Sequence, residues 1–139
     1  MKGHPWEAGY DPGEPVARAV ASLLTGSAPR RVVVSSFNPL ALRVIREQAP
    51  GVRTAVLTSP AFELASNLYA AVEGGHEECH VPARILTHGF VDDAHAADRR
   101  VVAWTVNDPE ELRRFDSWGV DGIITDDTRA AREALRRSG

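Results

Sequence analysis

Few of the 139 residues are placed to do chemistry, and most of them stand at the ends of short apolar runs. They are Ser35, Ser36 and Phe37 after "RRVVV", Leu57 and Thr58 after "RTAV", and His80 in "ECHVP". Trp104, Thr105 and Asn107 in "RVVAWTVN" and Thr125 and Asp126 in "GIITD" complete the set. Together they make a polar, aromatic rim suited to a small hydroxylated ligand. It is a rim poor in catalysts, with one histidine and one carboxylate. Ser36 lacks the G-x-S-x-G elbow that exposes a nucleophilic serine, so hydrogen bonding inside a barrel mouth is its expected role. His80 reads as a ligand-contacting or structural group, and Trp104 as a stacking surface or core residue. Asp126, beside a helix start, reads as a cap. The adjacent acids Glu77-Glu78, Asp92-Asp93 and Glu110-Glu111 point in different directions on a helix and read as solvated surface. The histidines show no metal-ligand spacing with one another or with Cys79.

The elements that must hold this rim alternate in type. Apolar runs over 30–37, 53–58, 78–82, 100–107 and 122–126 predict strands, and the first is a β-branched run without in/out alternation, as in a strand covered on both faces. Between them lie helical patterns, one ending near Pro50-Gly51, one closed by Gly74-Gly75, one over 87–97 with Thr87 as its cap, one from Asp108 to Trp118-Gly119 and one over 128–137. Asn38-Pro39, Ser59-Pro60 and Asp108-Pro109 each set a capping side chain before a proline at the first helical position, immediately after a strand. Strand–cap–helix units of ~20–25 residues predict parallel strands with helical crossovers, and are short enough for a (β/α) barrel. No Gly-rich phosphate fingerprint follows the first strand, which argues against a dinucleotide-binding open sheet. The expected fold is α/β: roughly the last four or five units of an incomplete (β/α)8 TIM barrel, occupying residues 1–139 as one domain.

Composition narrows the partners. A net charge of −3 gives no electrostatic case for nucleic acid or an anionic membrane, and no apolar stretch reaches the ~18–20 residues of a membrane span. Cys79 is the sole cysteine, which fits a reducing, cytoplasmic setting. Lys2 is the sole lysine among sixteen cationic side chains, so it stands where a compact point charge is kept in an arginine-rich chain.

The stretches "VVVSSFNPLALRVIREQAPGVRTAVL" and "VVAWTVNDPEELRRFDSWGVDGIITD" closely resemble, in order and spacing, the C-terminal half of glycerophosphodiester phosphodiesterases. The resemblance covers the chain from Lys2 to about Asp126. It implies a barrel enzyme that uses a divalent cation, Mg or Ca, to hydrolyse glycerophosphodiesters to glycerol 3-phosphate and an alcohol. The family's catalytic histidines come from a His-Arg-Gly and a His-Asp motif, and its metal is held by first-half acids and the glutamate of a Glu-x-Lys motif. None of these is in this chain. "PWE" and "YDP" follow Lys2 here as they follow Glu-x-Lys in the family, so Lys2 falls on the family's lysine. By the same resemblance Phe37 and Trp104 line the glycerol pocket, and His80 lies where the family often has His or Asn. Asp127-Thr128 departs from the Arg- or Tyr-Pro that often follows the final Thr-Asp.

The expectation is therefore a chain that supplies only the C-terminal half of the barrel, is inactive alone, and needs an N-terminal half or self-association to close it. The alternative is a non-catalytic half-barrel that binds a phosphorylated polyol or a protein partner. In such a half, both edge strands would offer unpaired backbone groups, and the inner face would bare Val32, Val34, Val102 and Ile123.

Overall fold

A computed structural model describes residues 14–25, 32–59 and 63–136. Five strands, β1 (Val33–Ser36), β2 (Arg53–Leu57), β3 (Glu78–Pro82), β4 (Arg100–Trp104) and β5 (Gly122–Ile123), form one parallel sheet. Among the described residues six α-helices accompany them: α1 (Pro15–Leu24) before β1, then α2 (Pro39–Gln48), α3 (Leu64–Glu73), α4 (His88–Ala96), α5 (Pro109–Ser117) and α6 (Thr128–Arg136), one after each strand. The strand order is sequential, each strand lying beside its predecessor. A doubly wound sheet reverses its order at a switch point, whereas a barrel never does. The architecture is thus an arc of a (β/α) barrel, as the repeating units predict.

Local chemistry explains the junctions. Asn38 Oδ1 accepts from Leu40 N at 3.0 Å, Asp108 Oδ1 from Glu110 N and Glu111 N at 2.8 and 3.0 Å, and Thr87 Oγ1 from Phe90 N at 3.2 Å. Each satisfies backbone donors that the first helical turn leaves open. Asn38 also donates to buried Glu14 Oε1 at 2.7 Å, which ties the start of α1 to the β1–α2 junction. The C-terminal ends of α3 and α5 turn on Gly75 and Gly119, at φ 65° and 75°. There His76 N donates to Ala71 O and Val120 N to Phe115 O, closing both helices with a left-handed glycine.

One junction differs from expectation. Ser59-Pro60 does not open the following helix: α3 starts at Leu64 behind Glu63, which makes no side-chain cap. Pro60, Ala61 and Phe62 lie outside the described residues. The strands are also shorter than the apolar runs, because β4 ends at Trp104 and β5 at Ile123.

The core lies between the sheet and its helices. Val34, Val56, Cys79, Val81, Val101 and Ala103 pack against Leu42, Ile45, Val91, Leu112 and Phe115, all buried. Since side chains alternate along a strand, Val33, Ser35, Ala55, Leu57, Glu78, His80, Arg100, Val102 and Trp104 face the other way. Val32, Val34 and Ile123 belong to the helix side, not to the inner face expected for them; of the four named residues Val102 alone is inward.

Two predictions follow from this packing. The Cys79 thiol is completely buried, and burial pushes its pKa up to about 11. It should resist thiol reagents in buffer and react fully in denaturant; fast labelling of the folded chain would contradict its placement. Asp108→Ala should cost about 1 kcal/mol through the lost cap, seen as a lower urea midpoint, and an unchanged midpoint would contradict the capping role.

Candidate functional site

The site is built on the concave face of the sheet, in layers set by strand register. Ser35, Ala55, Glu78 and Arg100 form one row across β1 to β4, and Leu57, His80, Val102 and Gly122 form the next row across β2 to β5. Pro82 and Trp104 form a third at the carboxyl ends of the strands. Phe37, next after β1, shares the parity of Val33 and Ser35. Phe37 and Trp104 meet edge to face, with ring centroids 6.3 Å apart and planes at 70°. Their strands are three positions apart, ~14 Å in a flat sheet at ~4.8 Å per strand. The sheet must therefore curl toward this face for the rings to meet, as a barrel wall does.

Beside the rings is a cleft of about 370 Å³, lined by Pro82, Ala83, Arg84, Trp104, Thr105 and Glu111. Arg84 makes no ion pair among the described residues, whereas Glu111 holds Arg114 at 2.8 Å. Among the described residues Trp104 Nε1 is buried without a hydrogen-bond partner, so the indole has a donor to offer. A larger cleft of about 620 Å³ lies between α2 and α3, among Arg43, Arg46, Glu73 and His76. It sits on the helix side, away from the strand ends where barrels carry their chemistry.

Below the rings the face is charged. Arg53, Glu78 and Arg100 are the first residues of β2, β3 and β4, and Asp121 directly precedes β5. Glu78 Oε1 lies 2.8 Å from Arg53 Nη1 and 3.5 Å from Arg100 Nη1, and Arg100 Nε lies 3.7 Å from Asp121 Oδ1. Charges thus alternate in sign from the start of β2, through β3 and β4, to the residue before β5. Glu78 Oε2 adds His80 Nε2 at 3.0 Å, and Asp121 Oδ2 takes His95 Nε2 at 2.9 Å and Val101 N at 2.8 Å. The His80 hydrogen bond, with Arg100 and Arg53, holds the Glu78 carboxyl below its ordinary pKa against the opposing effect of burial. Burial acts to raise Asp121, but the Val101 N–H, His95 and Arg100 outweigh it and lower that group too.

On the helix side, buried His76 exchanges a hydrogen bond with Thr54 at 2.9 Å. Burial first, then Arg46, lowers its pKa. Glu77 accepts from Thr54 N at 2.8 Å and pairs with Arg46 at 3.1 Å. Burial would raise Glu77, but these donors lower it.

The structure gathers five of the residues singled out in the sequence, Ser35, Phe37, Leu57, His80 and Trp104, on one concave face. Lys2 lies outside the described residues. Ser36 is buried on the helix side rather than in a barrel mouth, and its Oγ accepts from Asn38 N at 3.1 Å. Asp126 is not the cap of α6. Asp127 fills that role, accepting from Arg129 N and Ala130 N at 3.0 and 2.9 Å, while Asp126 accepts from Asn107 Nδ2 at 2.7 Å. Glu78 is the clear omission: it reads as solvated surface in the sequence, yet its side chain is 4% exposed. A signal was available, because Glu78 opens a predicted strand between two that open on arginine: Arg100 is its register partner on β4, and Arg53 lies two residues before its partner Ala55 on β2.

Among the described residues no group of three His, Cys, Asp or Glu side chains gathers to hold a metal ion. The family's cation therefore finds no fit among the described residues. No helix among the described residues is long and apolar enough to cross a membrane.

A sequential parallel arc with a ligand-sized cleft at its carboxyl edge places the chain in the class of (β/α)-barrel proteins. Residues 4–130 match the glycerophosphoryl diester phosphodiesterase family, and the chain belongs to it. A glycerophosphodiester phosphodiesterase of Caldanaerobacter subterraneus subsp. tengcongensis is 30% identical over 117 residues, 78% of this chain and 44% of that protein. An Oleispira antarctica phosphodiesterase, solved in complex with the product sn-glycerol-3-phosphate, superposes with a TM-score of 0.78 at 21% identity, covering 88% of this chain and 50% of its own. A glycerophosphodiester phosphodiesterase from Parabacteroides distasonis gives a TM-score of 0.75 at 20% identity, covering 99% of this chain and 56% of its own. The chain spans about half the length of the relatives it matches.

The shifted groups fix the direction of the pH response. A histidine with a lowered folded pKa gives stability that is complete above its ordinary value near ~6.5 and is lost as pH falls through the folded value. Carboxylates with lowered pKa values give stability complete above ~4 and lost on further acidification. The urea midpoint should therefore fall in two stages between pH 8 and pH 3, with His76 in the first and Glu77, Glu78 and Asp121 in the second. His76→Gln should flatten the first stage; an unaltered profile would contradict the role given to His76.

Proposed function

We propose that this chain forms the carboxyl-side part of a glycerophosphodiester phosphodiesterase barrel, and that its concave face holds the glycerol phosphate part of the substrate. The observation that carries the reading is the meeting of Phe37 and Trp104 over His80 on the inward face. Aromatic rings offer apolar faces to the C–H groups of a polyol, while the unpartnered indole N–H and the imidazole supply hydrogen bonds. Lys2, which falls on the family's lysine, supplies a point charge for a phosphate oxygen.

The reaction proposed is hydrolysis: a water oxygen bonds to phosphorus and gives up a proton, the P–O bond to the alcohol breaks, and the departing alkoxide takes up a proton in its place. Among the described residues this face has hydrogen-bonding and packing groups but no acid–base pair beside a cation site. Its part in the reaction is accordingly to bind and orient, and the barrel is completed by an N-terminal half or by a second copy. The reaction setting proposed is the cytoplasm, in keeping with the lone, buried Cys79 thiol.

A second reading, a non-catalytic arc that binds a phosphorylated polyol, rests on the same concave face and differs in turnover. The test is titration of the 139-residue chain with sn-glycerol 3-phosphate by NMR, beside an assay on glycerophosphocholine with Mg²⁺ or Ca²⁺. Saturable shifts at Trp104 and His80, weakened about tenfold or more by Trp104→Ala, as for loss of a well-buried anchor, are the expected result. Binding without turnover is expected of the chain alone. Turnover that needs no further segment would remove the need for a second half, and binding indifferent to Trp104→Ala would overturn the pocket.

A further inference from the structure

His80 has two ring nitrogens, and which of them meets a ligand depends on what holds the other. Glu78 precedes it by two residues in β3, so both side chains project from the same face. The Glu78 carboxylate is nearly out of solvent, with Oε1 on Arg53 and Oε2 3.0 Å from His80 Nε2. Arg100 is Glu78's register partner on β4, and Arg53 reaches it from two residues before its partner Ala55 on β2, so the carboxylate is held from both neighbouring strands. The group stays ionised near neutrality because its pKa is lowered, chiefly by the His80 hydrogen bond. An ionised carboxylate only accepts, so the hydrogen in this bond sits on Nε2. In the neutral ring, Nδ1 is then a bare lone pair, and it makes no hydrogen bond among the described residues.

We propose that Glu78 is a positioning residue that locks His80 as the Nε2–H tautomer, so that Nδ1 accepts a hydrogen bond from a hydroxyl of a polyol ligand on the concave face. The ligand part rests on the reading under Proposed function; the tautomer does not. The lock makes the site selective. A ligand without a hydroxyl donor leaves Nδ1 desolvated and unpaired, a loss that a polar-lined pocket turns into discrimination. Glu78 thus acts on ligand choice without touching the ligand, which a purely structural ion pair would not do.

The experiment is multiple-bond ¹H–¹⁵N NMR at pH 8 on the ¹⁵N-histidine-labelled full chain, with sn-glycerol 3-phosphate and n-propyl phosphate as probes. Without ligand, His80 should show hydrogen on Nε2 and none on Nδ1; an Nδ1–H ring or an even mixture overturns the lock, with no variant needed. On titration, sn-glycerol 3-phosphate should move the Nδ1 resonance and bind at least tenfold more tightly than n-propyl phosphate. Binding that leaves Nδ1 unmoved, or equal affinity for the two probes, overturns the acceptor role. Glu78→Gln, checked for a dispersed amide spectrum, should mix the tautomers and weaken sn-glycerol 3-phosphate about tenfold while leaving n-propyl phosphate unchanged. Equal weakening of both probes overturns the positioning role. If neither probe binds, the pocket reading fails and takes the ligand part with it, while the ligand-free spectrum still decides the tautomer.

Discussion

A carboxylate taken out of water has to find cations and hydrogen-bond donors, and Glu78 finds them on three strands at once. Arg53 reaches it from β2, Arg100 from β4, and His80 from its own strand. Removing one partner from such a cluster leaves an uncompensated buried charge, which typically costs ~3–5 kcal/mol. The arrangement therefore ties β2, β3 and β4 to one register. A slip of one residue would turn Glu78 into the apolar layer beneath the helices and the Cys79 thiol onto the concave face. Register in turn decides what stands at the strand ends, so the charged row fixes the aromatic row two layers above it.

The two faces of the sheet divide the work. The helix side holds the apolar core, with Val81, Val101, Ala103 and Phe115 at zero exposure, and its polar groups gather around Thr54, His76 and Glu77. The concave side has rings at its rim and charge at its base, with His80 between them. This gradient suits a ligand with an apolar carbon frame and several oxygens better than it suits a wholly apolar one.

Much of this was legible in the sequence, for physical reasons that can be named. β3 has the bounds read from "ECHVP", and the Asn38, Thr87 and Asp108 caps hold as predicted, because capping needs only the side chain and the next three residues. Sequential parallel order followed from the short strand-to-strand spacing. What failed depended on distant partners. The run "VVVSS" is apolar or small on both parities, so it does not show which valine faces inward, and Val34 turned out to face the helices. Glu77-Glu78 reads locally as a pair on a helix surface, whereas Glu78 opens a strand whose neighbours on both sides begin with arginine. Ser59-Pro60 resembles the other two cap–proline pairs, yet α3 starts four residues after Pro60. Asp126 and Asp127 are adjacent acids near one helix start, and only the tie from Asn107 to Asp126 separates their roles.

A crystal structure of the chain with sn-glycerol 3-phosphate decides whether the concave face or the helix side is the binding surface. The carbon frame should lie against Trp104 and Phe37, with a hydroxyl in hydrogen-bond reach of His80 Nδ1. Density for the ligand in the cleft between α2 and α3, beside Arg43 and Arg46, would contradict that placement.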